Sequence, residues 1–349
     1  MLAFFKWLGQ AGSAAEGAAL GVAAVACRVD ARCTVPPACI GVLADAGGRT
    51  RRVAAGARME ASADELAFCF HPGPYVIDVQ PYALAPELGL RLHVAVDAPD
   101  PRVPQQRFDL FLCSEGGASL SHERLRGLAE EALRGELEQG NLELPPCTTL
   151  AEWHAFRARL NQLLYTRFGL SVDDCVPTDL GAQVDYADLL RSRAHGAVLA
   201  PPKPQAPAVP SQEELAATDA DALRRLFLEL PRITHGLRQA SMAGDAAQFR
   251  HHQSLLQRLD RLGLEAGTMP SLAWATPDRA LEPAQQWRRA RHSKRAARAL
   301  DEAWALLARL NLADGAARPT LLDDADRIVA NLEHDVVARR AVRAGEVSS

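Results

Sequence analysis

Short apolar runs separated by turn residues occupy the first half of the chain. The runs CIGVL (39–43), ELAFCF (65–70) and YVIDV (75–79) are separated by segments that contain glycine, proline and charged residues. The paired glycines at 47–48 mark a hairpin between the first run and the returning segment TRRV (50–53), whose two arginines predict an exposed, polar-edged strand. The pattern predicts an antiparallel meander.

The clearest alternation is in LGLRLHVAV (88–96), where every second residue is a leucine or valine and the residues between include Arg91 and His93. A period of two predicts a strand with one buried face. The next apolar run, RFDLFLCSEG (107–116), is predicted to be the last strand of the meander.

After residue 120 the apolar period becomes helical. Ser121 is the predicted N-cap of a helix that ends at Gly140, and a second helix is predicted from Thr149 to Phe168 with Gly169 as its stop. The segment LSVDDCVPTDLG (170–181) then returns as a strand. Strands, two helices and a closing strand predict an α+β fold.

Three of these segments resemble the SPFH (stomatin/prohibitin/flotillin, or band 7) family. VPPACIGVLADAGGRTRRVAAGARME (35–60) resembles the opening hairpin of that family, and FHPGPYVIDVQP (70–81) resembles its next paired strands. A helix with spaced leucines leads into LNQLLYTRFGLSVDDCVPTDLG (160–181), which is similar to the closing strand of the family. The resemblance covers residues 33–181 and implies an oligomeric, non-enzymatic scaffold.

The sequence departs from the family at two turns and after the end of the domain. Ala38 and Ala55 stand where the family usually has glycine and proline. The long heptad coiled coil of stomatins and flotillins is missing after residue 181, so the resemblance does not imply assembly through coiled coils.

The second half of the chain is predicted to be a separate all-α bundle of four or five helices. The segment APPKPQAPAVPSQ (200–212) contains five prolines and is typical of an extended linker. Within the helical part, Pro231 is expected to break or kink a helix, and Gly263 is expected to end one. The last helix is predicted from Thr320 to about Val342.

These patterns divide the chain into four parts. They are an apolar N-terminal segment (1–26), the SPFH-like domain (27–185), a proline-rich linker (186–215) and the helical domain (216–345).

Composition excludes several functional classes. The net charge of −4 does not suggest a dedicated binder of polyanions. Seven cysteines occur without the spacing of zinc ligands, so free thiols in a reducing compartment are the simpler interpretation. Glycine-rich nucleotide loops, nucleophile elbows and metalloprotease motifs are missing. No catalytic residue, cofactor or metal is therefore predicted.

The N-terminal segment leaves two alternatives open. Phe4, Phe5 and Trp7 beside Lys6 could dip into a membrane interface, which would place the protein on the cytoplasmic face of the membrane. Alternatively, the segment docks on the protein's own sheet or on a neighbouring subunit.

One cluster of cations suggests a functional hypothesis. Six cations fall within the eleven residues 288–298 and, with Trp274, are the candidate contacts for an acidic protein partner, an anionic membrane surface or a nucleic acid. The simpler interpretation is a solvated helix face neutralised by nearby acids. The cations are Arg288, Arg289, Arg291, Lys294, Arg295 and Arg298.

The predicted function is a self-associating scaffold or adaptor in the cytoplasm, and a nucleic-acid-associated protein is the alternative.

Overall fold

The computed structural model is mixed α+β, with antiparallel sheets followed by a helical region. It describes residues 20–83, 85–96, 105–144, 149–181, 211–240, 246–274, 281–314 and 316–340. The strands are β1 (Ala24–Arg28), β2 (Arg32–Thr34), β3 (Ile40–Ala44), β4 (Thr50–Val53), β5 (Arg58–Glu60), β6 (Leu66–Phe70), β7 (Tyr75–Val79), β8 (Leu88–Val96), β9 (Ser119–Ser121) and β10 (Leu170–Asp179). The helices are α1 (Arg107–Glu115), α2 (His122–Glu138), α3 (Leu150–Phe168), α4 (Gln212–Gln239), α5 (Ala246–Trp274), α6 (Pro283–Leu312) and α7 (Arg318–Arg340).

The strands form three antiparallel sheets. The largest has the order β4-β3-β6-β1-β9, the second has the order β10-β8-β7, and β2 pairs with β5 alone. The alternation predicted in β8 is confirmed, since Leu90, Leu92, Val94 and Val96 are all buried. Strand β1 includes Ala24–Ala26, the end of the apolar N-terminal segment, and it pairs with β6 and β9.

Helices α2 and α3 begin and end where their capping residues predict. The Ser121 hydroxyl accepts a hydrogen bond from the Arg124 amide at 3.1 Å, and the Thr149 hydroxyl accepts one from the Glu152 amide at 3.3 Å. Gly169 adopts the left-handed conformation after α3. The indole of Trp153 donates a 2.8 Å hydrogen bond to the Cys175 carbonyl, which ties α3 to β10.

The prediction of a strand over 107–116 is wrong, because this segment is helix α1. Phe108, Phe111 and Leu112 belong to the hydrophobic core of the first region, whereas Leu110 belongs to the core of the helical region. A helix buried on opposite sides has a nearly continuous apolar sequence, which has neither a strand nor a helix period. The physical cause of the error is therefore the burial of α1 between two cores.

The helical region is a bundle in which α4 and α7 each contact both α5 and α6. Its core consists mainly of leucines and includes Leu230, Leu259, Leu300 and Leu332. The predicted helix end at Gly263 is wrong, because α5 continues through Gly263 to Trp274. Helix α4 continues through Pro231, which is exposed, so the break expected as one alternative at this proline does not occur.

The bundle packs on the first region through two helix contacts, α3 against α6 and α1 against α4. These contacts place the N-terminal half of α6 at the surface and its C-terminal half in the interior.

Candidate functional site

Helix α6 presents a cationic face to solvent. Arg291, Lys294, Arg295 and Arg298 are exposed and follow the spacing i, i+3, i+4, i+7, which places them on one side of the helix. The opposite side carries small buried residues such as Ala290 and Ala296. The sequence thus folds α6 as an amphipathic helix whose polar face is almost wholly basic.

These four cations have no carboxylate within ion-pair distance among the residues that the structure describes. Elsewhere in the bundle, by contrast, Arg258 contacts Asp326 and Glu333 across helices. The four cations are thus solvated, with acids such as Glu302 lining the same depressions of the surface but outside ion-pair distance. The neutralisation by nearby acids that the sequence suggests stays a prediction.

A tryptophan extends the same face. Trp287 is 48% exposed, and the Arg291 guanidinium lies 5.2 Å from the centre of its ring. Trp287 lies four positions before Arg291, on the solvent side of the helix. We call Trp287, Arg291, Lys294, Arg295 and Arg298 the basic face.

The two remaining arginines of the predicted cluster are half-buried. Burial, and then the charge of Arg339, lowers the pKa of Arg289 from its ordinary value. Behind the face, Asp219 accepts hydrogen bonds from the Ser293 hydroxyl at 2.5 Å and from Arg339 at 2.8 and 3.0 Å. This buried cluster joins α4, α6 and α7. Arg288, the other member of the predicted cluster, is half-buried as well.

A groove runs along one side of the basic face, between α6 and α2. Its volume is about 920 Å³. Lys294 and Arg298 lie on its α6 wall, and Glu131 and Glu138 lie on its α2 wall. Arg298 also borders a smaller cavity of about 290 Å³ between α6 and α7, so its side chain stands on a ridge between two depressions.

The floor of the groove includes part of a buried charge network. Arg167 contacts Glu115 at 2.7 Å and Asp301 at 2.6 Å, and Arg225 contacts Asp301 at 2.7 Å and Glu229 at 3.1 Å. The network therefore links α1 and α3 of the first region to α4 and α6 of the bundle.

Glu229 is the innermost acid of this network and is 0% exposed. It accepts a 2.8 Å hydrogen bond from the Trp304 indole, and the guanidinium of Arg107 stacks 3.8 Å from the centre of that indole. Burial by itself would raise the pKa of Glu229, but Arg225, Arg167 and Arg107 outweigh it and hold the pKa well below 4.5. Three arginines and three carboxylates balance, so the network is a structural junction.

No group of three histidine, cysteine or acidic side chains is arranged to hold a metal ion in the part of the chain that the structure describes. Among those residues there is also no helix long and apolar enough to cross a membrane.

The other predicted contacts lie outside the described side chains. Phe4, Phe5 and Trp7 precede residue 20, and Trp274 is the last residue of α5, of whose side chain nothing is described.

No family model, no curated protein and no solved structure matches this chain.

Proposed function

We propose that the protein is a non-enzymatic adaptor that binds an acidic segment of a protein partner on the basic face of α6. The observation that carries this proposal is a row of four exposed, unpaired cations beside an exposed tryptophan. Cations on a rigid helix attract a carboxylate-rich chain, and a half-exposed tryptophan is a residue type enriched among the anchors of protein interfaces.

The acids on α2 favour a narrow partner over a nucleic-acid duplex. A duplex is wide enough to extend from α6 across the groove, where its phosphates would meet Glu131 and Glu138. A single acidic polypeptide segment can lie along the ridge of Arg291, Arg295 and Arg298 without approaching the α2 wall. The repulsion therefore selects against the nucleic-acid alternative.

Two glycines on α2 add a further argument. Gly127 and Gly135 line the groove, and a Cβ atom at either position would meet nothing within 4 Å. Glycine inside a helix costs roughly 0.5–1 kcal/mol relative to alanine, and packing does not require it here. These positions keep the groove wide, so a segment that lies on the α6 side stays clear of the α2 wall.

Reversing the charge of the face should abolish this binding. The variant Arg291→Glu/Arg295→Glu/Arg298→Glu is expected to weaken binding of a fluorescent polyglutamate peptide by at least about tenfold. Three lost contacts of roughly 0.2–1 kcal/mol each, together with the repulsion from three new carboxylates, are expected to exceed the 1.4 kcal/mol that corresponds to that factor. Fluorescence anisotropy of the full chain at two salt concentrations measures the effect, and higher salt should weaken the wild-type binding.

The matched control replaces three exposed arginines outside the basic face with glutamate, so its net charge changes by the same amount as in the test variant. These arginines are Arg32, Arg250 and Arg261. The control should retain most of the affinity, with circular dichroism confirming that both variants are folded. Equal losses in the two variants would show general charge attraction and contradict the proposal. Binding of single-stranded DNA but not of polyglutamate would replace it with the nucleic-acid alternative.

The proposal also includes self-association and peripheral contact with a membrane, as the SPFH resemblance implies. If Phe4, Phe5 and Trp7 supply that contact, replacing all three by serine should reduce co-sedimentation with anionic vesicles several-fold, because aromatic side chains favour the interface. Light scattering measures the oligomeric state of both proteins. Unchanged co-sedimentation would remove the N-terminal residues from the membrane contact.

A further inference from the structure

Four cysteines from separate segments converge beside the small sheet. Cys27 in β1 lies directly across from Cys69 in β6, Cys33 lies in β2, and Cys39 precedes β3. Cys39 and Cys69 belong to one hydrophobic cluster with Met59, and Cys33 packs against that cluster. All four are reduced thiols.

Within this group, Cys33 and Cys69 combine partial exposure with close packing. Cys33 packs against the hydrophobic cluster that contains Cys69, and each of the two thiols influences the pKa of the other. Cys33 is partly exposed, whereas Cys27, Cys39 and Cys69 are buried. A small soluble oxidant therefore reaches Cys33 first, and Cys69 is in place to react with the product.

We propose that Cys33 and Cys69 form an intramolecular disulfide when the protein meets hydrogen peroxide. The geometry favours a disulfide over a metal complex, because these thiols and the other described residues include no group arranged to hold a metal ion. The proposal is independent of the basic face on α6.

The reaction balances in two steps. The Cys33 thiolate attacks one oxygen of the peroxide, the O–O bond breaks, and Cys33 becomes a sulfenic acid while hydroxide leaves and takes up a proton as water. The Cys69 sulfur then attacks the sulfenic sulfur, the S–S bond forms, and the S–O bond breaks with release of a second water. Two thiols are oxidised, and one peroxide is reduced to two waters.

The surroundings make this pair slow to react at neutral pH. Burial raises the pKa of Cys33, and it raises the pKa of Cys69 to about 12. The thiolate is the nucleophile, and its fraction grows about tenfold per pH unit below the pKa. The pair therefore stays reduced under mild conditions and is oxidised by strong or prolonged exposure.

The disulfide would attach the β2–β5 sheet to the central strand of the five-stranded sheet. Strand β6 is the middle strand in the order β4-β3-β6-β1-β9. A cross-link between residues 33 and 69 closes a loop that contains β3, β4 and β5, so it restricts the unfolded chain and raises the melting temperature.

The test treats the full chain with hydrogen peroxide, alkylates the remaining thiols after unfolding, and maps disulfide peptides by mass spectrometry. We expect the loss of two of the seven thiols, a cross-linked pair that contains Cys33 and Cys69, and reversal by dithiothreitol. The rate should rise about tenfold from pH 7 to pH 8.

Two variants test which cysteines form the cross-link. Cys33→Ser should lose the cross-link, whereas the control Cys39→Ala, which changes a neighbouring thiol of the same cluster, should retain it. A Cys27–Cys69 cross-link, a sulfinic acid on Cys33 without any cross-link, or a disulfide between molecules would each overturn the assignment. The mapping uses the wild-type chain, so it decides the matter even if a variant fails to fold.

Discussion

Replacing Glu229 with glutamine is expected to lower the free energy of unfolding by about 3–5 kcal/mol, the usual cost of removing one partner from a buried ion pair. Glutamine keeps the volume of the side chain and an oxygen for the Trp304 indole, so the change removes mainly the charge. Arg225, which contacts both Glu229 and Asp301, would lose its most deeply buried counter-charge. Urea denaturation of the full chain measures the difference.

The control for this prediction is Glu213→Gln on the same helix. Glu213 is exposed in the first turn of α4, so its loss should cost less than about 1 kcal/mol through the helix dipole. If the two variants lose similar stability, the buried network does not stabilise the junction.

The effect of Glu229 should depend on pH in a definite direction. The folded-state pKa of Glu229 lies below its unfolded value, so its contribution is complete above about pH 4.5 and is lost as the pH falls. The gap between wild type and Glu229→Gln should therefore narrow from about pH 6 to about pH 3. Burial raises the pKa values of Asp109 and Glu136, which are present in both proteins. Their contributions to the pH dependence of stability therefore cancel when the two proteins are compared.

Replacing Gly169 with alanine is the second large change, with an expected loss of at least about 3 kcal/mol. Gly169 ends α3 with φ of +73°, and a Cβ atom there would lie 2.3 Å from the Phe108 amide nitrogen. Neither the glycine nor α1 can move away easily, because Phe108 is buried in the first core. The clash is with backbone, which no side-chain rotation relieves.

Gly140 provides a matched control for this position. It follows α2 with φ of +70°, and a Cβ atom there would meet nothing within 4 Å. Gly140→Ala should therefore cost only the left-handed conformation itself, about 1–2 kcal/mol. Thermal and urea unfolding of both variants separate the two effects, and equal losses would show that the contact with α1 does not matter.

Local signals account for the parts of the fold that the sequence predicts well. The limits of α2 and α3 follow from side chains and glycines within the segments themselves, such as Ser121 and Gly169. Strand β8 follows from its alternation. Helix α1 could not be predicted in this way, because its apolar residues serve two cores that are assembled from distant parts of the chain.

The same distinction between local signals and contacts of distant segments applies to the candidate site. The spacing of cations on α6 is visible in the sequence, but whether a described acid lies within ion-pair distance of them depends on how α2 and α7 are placed around the helix. The i, i+4 spacing of Arg225 and Glu229 within an apolar run was a signal for the buried network. Its partners Glu115, Arg167 and Asp301 come from other helices, and no local pattern indicates them. The cysteine cluster likewise joins segments without any motif.

The position of α1 in two cores has a consequence for the orientation of the basic face. Because Phe108 and Leu110 are anchored on opposite sides of one short helix, the bundle cannot swing on the first region without pulling α1 out of a core. The basic face is consequently held at a fixed angle to the α2 wall. If it binds the acidic segment proposed above, the bundle is already in place, and the entropy cost of ordering falls on the incoming segment alone.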